Sequence, residues 1–347
     1  MKTVTVSAWL AVALTATLAG CAGTSTSTST STSTSTSTGD GGTDANATPA
    51  GTEINNCGAT LTIDEPPQRA LTMEQNATEI MLSLGLADRM IGTSYQTDPV
   101  LPELADAYAD VPVLADLYPN REAVLEAAPD FVYSTFTSAY GPEAAGPRTD
   151  LAALDVPAYL SRFACEEPAT GEPTVHFDGI FAEITEIATI FGVAEQGEQL
   201  VTDQQDRLAA AVEAAPAAPG HDLLWYYSGT ATPYVAGSGG LPAAISELLD
   251  VTNAYGDAEQ TWPAGSWEEI AARNPDVIVL ADLTRGGDGD SAQSKIDYLR
   301  SNPTTAQLDA VKAGHFITVS GSSMDPSIRS VTAVEAVAAG LTELADP

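Results

Sequence analysis

The chain has 347 residues, enough for two domains of ordinary size and a sizeable core. Its 47 acidic residues face only 13 lysines and arginines, a formal net charge of −34. That balance gives solubility and argues against a nucleic-acid partner, because little basic charge is left to neutralise phosphates.

Lys2 precedes an apolar stretch, Val4 to Ala19, too short to span a bilayer as a permanent helix, so residues 1–20 read as a secretory signal. The stretch ends in Leu18-Ala19-Gly20-Cys21, which resembles the bacterial lipobox. That resemblance implies cleavage before Cys21, lipid on its sulfur and a membrane anchor. Residues 21–51, with strict Thr/Ser alternation from Thr24 to Thr38, have almost nothing to bury and read as a flexible linker.

A first α/β lobe is expected over 52–175. Leu61–Ile63 and Ala70–Met73 read as strands, and Asn76-Ala-Thr-Glu79 as a capping box opening a helix that Gly85 closes. A strand at Met90, a helix over 121–128, a strand at Phe131–Tyr133, a helix over 148–154 and a strand at 157–160 continue a βαβ alternation, the pattern of a parallel sheet. From Phe177, apolar residues at helical spacing predict a connecting helix over 176–215, with Gly192 a place where it can break. A second lobe over 216–347 repeats the first: strand 222–227, helix 242–249, strand 277–280, helix near 296–299, strand 316–319 and helix 331–344. The predicted fold is therefore two Rossmann-like lobes joined by one long helix.

One module occurs in both lobes. Asn120-Arg-Glu-Ala-Val-Leu-Glu-Ala-Ala-Pro-Asp-Phe-Val-Tyr-Ser134 matches Ser266-Trp-Glu-Glu-Ile-Ala-Ala-Arg-Asn-Pro-Asp-Val-Ile-Val-Leu280 in form, and Glu122 and Glu268 hold the same place. In each, a short helix meets a Pro-Asp turn and a buried strand begins. Cys57 and Cys165 flank the first lobe, so a disulfide would tie its two ends; two unpaired buried thiols are the alternative.

Open parallel sheets bind ligands at the carboxyl ends of their strands. That rule selects Met73 to Gln75, Tyr95 and Ser134 to Tyr140 in the first lobe, and Tyr226 to Ser228, Asp282 to Arg285 and Ser320 to Asp325 in the second. From these and their neighbours the expected cleft residues are Gln75, Tyr95, Phe136, Tyr140, Tyr227, Trp262, Arg285 and Arg329, the aromatic residues offering flat faces and the arginines charge. Trp225 reads as core, and Tyr226 and Tyr227 should point to opposite faces. His176, His221 and His315 are scattered, a poor fit for capture of a bare metal ion. No nucleophile elbow or phosphate-cradling loop argues for an enzyme, and no cofactor is expected.

With lipobox, linker, doubled module and bridging helix together, the chain from about Ile54 to Leu341 resembles the substrate-binding lipoproteins of ABC importers that capture metal chelates: ferric siderophores, haem and cobalamin. Ala70-Leu-Thr-Met-Glu-Gln-Asn-Ala-Thr-Glu-Ile-Met-Leu-Ser-Leu-Gly-Leu86 is similar to that family's first strand and helix. The resemblance implies a monomer that delivers ligand to a permease and its ATPase. It also implies that Glu122 and Glu268 each meet an arginine of the permease. A ferric siderophore stands first on family frequency; cobalamin, haem or a flavin-like precursor would be handled alike. A cell-surface adhesion or sensing module on the same fold is the alternative class.

Overall fold

The computed structural model describes residues 51–165, 175–215 and 220–345. The expected signal, Cys21 and nearly all of the linker lie outside them. A hairpin comes first, β1 (Thr52–Asn56) against β2 (Ala59–Ile63). Its two-residue turn places both Cys57 and Gly58 at positive φ, 50° and 75°, the geometry that matches strand twist in tight hairpins. Cys57 is thereby held at the lobe's edge, bonded to Cys165 with Cα atoms 5.2 Å apart.

The first lobe continues β3 (Ala70–Thr72), α1 (Gln75–Ser83), β4 (Met90–Ser94), α2 (Ala105–Tyr108), β5 (Val113–Ala115), α3 (Arg121–Ala127), β6 (Phe131–Ser134), α4 (Arg148–Ala152) and β7 (Ala158–Leu160). The five strands after the hairpin form one parallel sheet in the order β5-β4-β3-β6-β7. β6 is buried along its whole length, as a central strand covered on both faces must be.

The capping-box expectation fails at α1. The helix begins earlier, with Glu74 as its extended N-cap residue and no side-chain cap bond, so Asn76 lies inside the first turn. Glu79, instead of reaching back to a cap, turns to the second lobe.

The connection runs through α5 (Phe177–Ile190) and α6 (Ala194–Ala214). It breaks where Gly192 takes φ 68° and the amides of Gly192 and Val193 bond back to Thr189 and Ala188, a Schellman ending. Gly197 leaves room for the two helices to pack closely: a Cβ there would sit 2.4 Å from that of Ala188. Glu183 fastens α5 to the first lobe by accepting from Tyr133 Oη (2.7 Å), Ser161 Oγ (2.8 Å) and the Arg162 amide (3.1 Å).

The second lobe follows as β8 (Asp222–Ser228), β9 (Tyr234–Val235), α7 (Leu241–Leu248), β10 (Thr252–Asn253), α8 (Trp267–Arg273), β11 (Val277–Asp282), α9 (Ala292–Ser301), α10 (Asp309–Ala313), β12 (Phe316–Ser320) and α11 (Ser330–Ala345). Its parallel strands are ordered β10-β8-β11-β12, with β9 antiparallel on β8. Arg207 of α6 pairs with Glu335 of α11, Nη2 to Oε2 2.6 Å, seating the second connecting helix on this lobe.

The doubled module folds alike in both places. Asn120 and Ser266 cap α3 and α8 by accepting the amides of Ala123 (2.9 Å) and Glu269 (3.1 Å), each cap worth about 1 kcal/mol. Ala128 and Asn274 end those helices in the left-handed region. The aspartates of the two Pro-Asp turns then accept backbone amides at the start of the neighbouring strand, Asp130 from Gln68 and Arg69, Asp276 from Asp222.

Candidate functional site

Both sheets aim their carboxyl ends at one cleft, whose walls come from both lobes. Residues after β3, β4, β5 and β6 meet Tyr227 of β8 and the loops after β11 and β12 around a space of about 640 Å³. A second space of about 780 Å³ adjoins it and shares Asn76, Phe136 and Asp325.

Each lobe contributes a pair of rings. Tyr95 stacks on Tyr118 in the first, centroids 4.7 Å apart and nearly parallel at 10°. Tyr227 meets Trp262 in the second, 4.9 Å apart. Tyr95 holds φ 54°, a backbone state that costs a bulky side chain energy and that concentrates at ligand sites. Phe136 remains 37% exposed in the mouth, unusual for so large an apolar ring.

Charge in the cleft is sparse and mostly cancelled. Arg285 donates to Asp290 at 2.8 Å and sits 5.5 Å from the Tyr227 ring centroid. The loop that presents it is pinned by Lys295, fully buried, which donates to the carbonyls of Ala281 (2.6 Å) and Asp290. Burial pushes the Glu74 carboxyl up to about 8, against the lowering effect of its bond from the Thr135 amide and from the hydroxyls of Tyr118, Ser134 and Thr135. Asp325, opposite in the second lobe, is pushed up to about 7 by burial alone. Burial likewise raises the Tyr118 and Tyr227 hydroxyls, so neither forms a phenolate readily.

Beneath the rings the lobes are tied. Arg329 makes a forked ion pair with Glu79 of α1, Nε to Oε2 2.6 Å and Nη2 to Oε1 2.5 Å, and also donates to Pro99 O at 2.7 Å. The two side chains are 6% and 0% exposed, so this is a buried pair joining one lobe to the other. Asp98 of the first lobe accepts from the amide of Ser322 in the second at 2.7 Å. Gln75 bridges Glu79 (Nε2 to Oε1 2.8 Å) and the Asp98 amide (3.4 Å).

Of the expected cleft residues, Gln75, Tyr95, Phe136, Tyr227 and Arg285 line the first space, and Trp262 lines the second. Tyr140 does not. It lies in a turn folded back beneath the sheet, buried, with its hydroxyl on the carbonyl of Tyr159 at 2.7 Å. Arg329 also lies elsewhere, spent on the ion pair below the cleft. Trp225 is core and Tyr226 faces away from Tyr227, as strand alternation requires. Sequence reasoning missed Tyr118 and gave Asn76 another role. Tyr118 follows β5, a strand of three residues that leaves almost no periodic signal.

Glu122 and Glu268 stand exposed at the second position of α3 and α8. His176 caps α5 by accepting the Gly179 amide at 2.9 Å, while His221 and His315 precede β8 and β12, at the sheet end away from the cleft. Among the described residues no group of three or more His, Cys, Asp or Glu is placed to hold a metal ion.

Comparison with known proteins gives a consistent picture. A family model described as periplasmic binding protein matches residues 72–322. A vitamin B12-binding protein of Yersinia pestis (strain Pestoides F) is 25% identical over 232 residues, 65% of this chain and 73% of that protein. A periplasmic binding protein from Veillonella parvula superposes with a TM-score of 0.74 at 29% identity, covering 83% of this chain and 96% of its own. A protein of the Fe3+-hydroxamate transport system from Saccharomonospora viridis shares the fold, with TM-score 0.70, 21% identity and coverage of 86% and 99%.

Proposed function

The chain belongs to the periplasmic binding protein family, and from that premise we propose that it captures a bulky metal chelate outside the cytoplasm and hands it to the permease and ATPase of an ABC importer. The observation that carries this reading is the pair of aromatic walls, Tyr95 on Tyr118 from one lobe and Tyr227 on Trp262 from the other, facing one cleft. Flat faces of that kind bind a large conjugated or chelate ring with little loss of side-chain entropy. In this reading the lipid on Cys21 and the 21–51 segment tether the protein to the membrane, and Glu122 and Glu268 meet arginines of the permease by charge-assisted hydrogen bonds.

Charge narrows the ligand. A tris-catecholate iron complex is strongly anionic and calls for a cluster of basic side chains, whereas Arg285 is already matched by Asp290 and two carboxyls share the cleft. Haem presents an iron that seeks an axial ligand; the histidines lie outside the cleft, and the tyrosine hydroxyls resist ionisation. A chelate of low negative charge whose metal is fully coordinated by its own chelator fits best. A corrinoid comes first, in line with the Yersinia relative, and an uncharged ferric hydroxamate second.

Calorimetric titration of the purified mature protein with cyanocobalamin, a ferric hydroxamate, a ferric catecholate and haem tests this directly. Saturable one-to-one heat is expected with the first or second, weakened by Trp262→Ala. Absence of binding to all four would sink the reading, and tight binding of the catecholate alone would overturn the charge argument.

A further inference from the structure

The loop between β11 and α9, residues 283–291, is built around one carboxylate. Asp290 is buried, 3% exposed, and lines neither space of the cleft. It accepts the Gly287 amide on Oδ2 at 2.7 Å and Arg285 on both oxygens, Nη2 to Oδ1 2.8 Å and Nε to Oδ2 3.4 Å. Glycine at 287 gives the carboxylate its room, since a Cβ there would lie 2.8 Å from Oδ2. Buried Lys295 donates to the carbonyl of the same aspartate. The neighbouring aspartates are occupied elsewhere, Asp282 by the Ala292 amide at 2.8 Å and Asp288 by the amide and hydroxyl of Thr230 at 2.8 and 2.7 Å. Of this assembly only Arg285 reaches the ligand space, its side chain 36% exposed beside the Tyr227 ring.

A guanidinium alone in a cleft rewards negative charge on whatever enters. Here its counterion is built in and lies out of the ligand's contact. Against the raising effect of burial, the bonds from Arg285 and the Gly287 amide hold the Asp290 carboxyl below its usual range, so the pair is ionised and sums to zero. An anionic ligand would shed water and find no unmatched cation, a cost that a neutral chelate does not meet. We propose that Asp290 sets the charge of the ligand without touching it: by matching Arg285 it makes the cleft select chelates that carry no net negative charge. It acts through Arg285, as a positioning residue whose own charge is part of the task. This rests on the chelate-binding reading and adds to it a residue outside the cleft wall that decides a property of the ligand.

Two ligand pairs separate charge from shape. The first is cyanocobalamin against a derivative in which one peripheral carboxamide is hydrolysed to carboxylate. The second is a linear ferric trihydroxamate bearing one amine, in its N-acetylated against its N-succinylated form. Affinities are measured by calorimetry at a pH of about 6, below the values of Glu74 and Asp325, so that the other two carboxyls of the cleft are largely protonated. Wild-type protein should prefer the neutral member by about tenfold or more, in whichever chelate it binds. Asp290→Asn leaves Arg285 unmatched and should cut that preference about tenfold, whereas Arg285→Gln leaves Asp290 unmatched and should widen it. The double variant restores a sum of zero and should return the preference to within about threefold of wild type, which a loop merely disturbed by substitution would not do. Each variant is checked for an unchanged melting profile; where Asp290→Asn fails to fold, the widening by Arg285→Gln still decides. If wild type binds both members equally, if Asp290→Asn shifts nothing, or if the double variant keeps the shift, the charge-setting role falls while the chelate reading stands. If no chelate binds wild type, the reading falls and this role with it.

Discussion

The two lobes share a scaffold and differ at its tips. In both, a capped helix of seven residues ends in a left-handed residue, Ala128 or Asn274, and a Pro-Asp turn fastens the next strand to the start of its neighbour. The strand orders β4-β3-β6-β7 and β10-β8-β11-β12 are the same arrangement. Where β3 and β8 reach the cleft, the first lobe presents Glu74 and the second Tyr227. The lesson is that scaffold residues answer to local backbone demands, which recur, whereas the residues at the cleft are under no such demand and differ between the lobes.

The largest expected effect lies on the outer face, where the proposal treats the lobes as equivalent. Glu122→Ala and Glu268→Ala should each impair uptake in cells, and together reduce it to background, with ligand affinity unchanged. Glu269→Ala is the control, since that side chain is exposed but pairs with Arg273 at 2.8 Å. If one substitution alone removes all uptake and the other none, the lobes dock unequally; lost ligand affinity would remove the docking role.

A smaller effect tests how the lobes are joined. Glu79→Leu strands the Arg329 guanidinium in a buried site and should destabilise the protein by about 3–5 kcal/mol in urea unfolding. The double variant Glu79→Leu with Arg329→Leu should recover most of that, because removing both charges also removes the desolvation penalty. A loss below about 1 kcal/mol in the single variant would mean that the lobes are held by other contacts.

That ion pair also shows where the sequence is legible. Helix caps, Pro-Asp turns and buried apolar runs are short-range devices, so strands such as Phe131–Ser134 and Val277–Asp282 and the helices before them could be read directly. Glu79 looked like the far end of a capping box because local spacing allows it. Its partner is 250 residues away, and nothing in the spacing reports that distance. The strand-end rule found Tyr95, Phe136, Tyr227 and Arg285 because they lie at or within a few residues of strand ends. It misjudged Tyr140, which a turn carries back into the core to bond Tyr159 O. Tyr118 escaped because β5 is too short to announce its own end.

The smallest effect per unit change is in pH, and it falls unequally on the two tips. Glu74 titrates at about 8 in the folded protein against 4.5 for an ordinary glutamate, so between those values the unfolded chain has released a proton that the folded one keeps. The folded state then binds more protons, and stability declines as pH rises through this window, by up to about 1.4 kcal/mol per pH unit. Below about 4.5 both states are protonated and the contribution is whole; above about 8 it is fully lost. Glu183 and Asp325, also raised, tilt the curve the same way, so the contrast must be taken between variants. Glu74→Gln should flatten the unfolding free energy against pH between about 4.5 and 8. Tyr227→Phe, at the matching place in the second lobe, should leave the slope unchanged, because the Tyr227 hydroxyl is pushed above its usual 10 and does not ionise in that range. Parallel curves for wild type and Glu74→Gln would show that the first lobe's carboxyl is not held protonated, and the electrostatic contrast between the two tips would disappear.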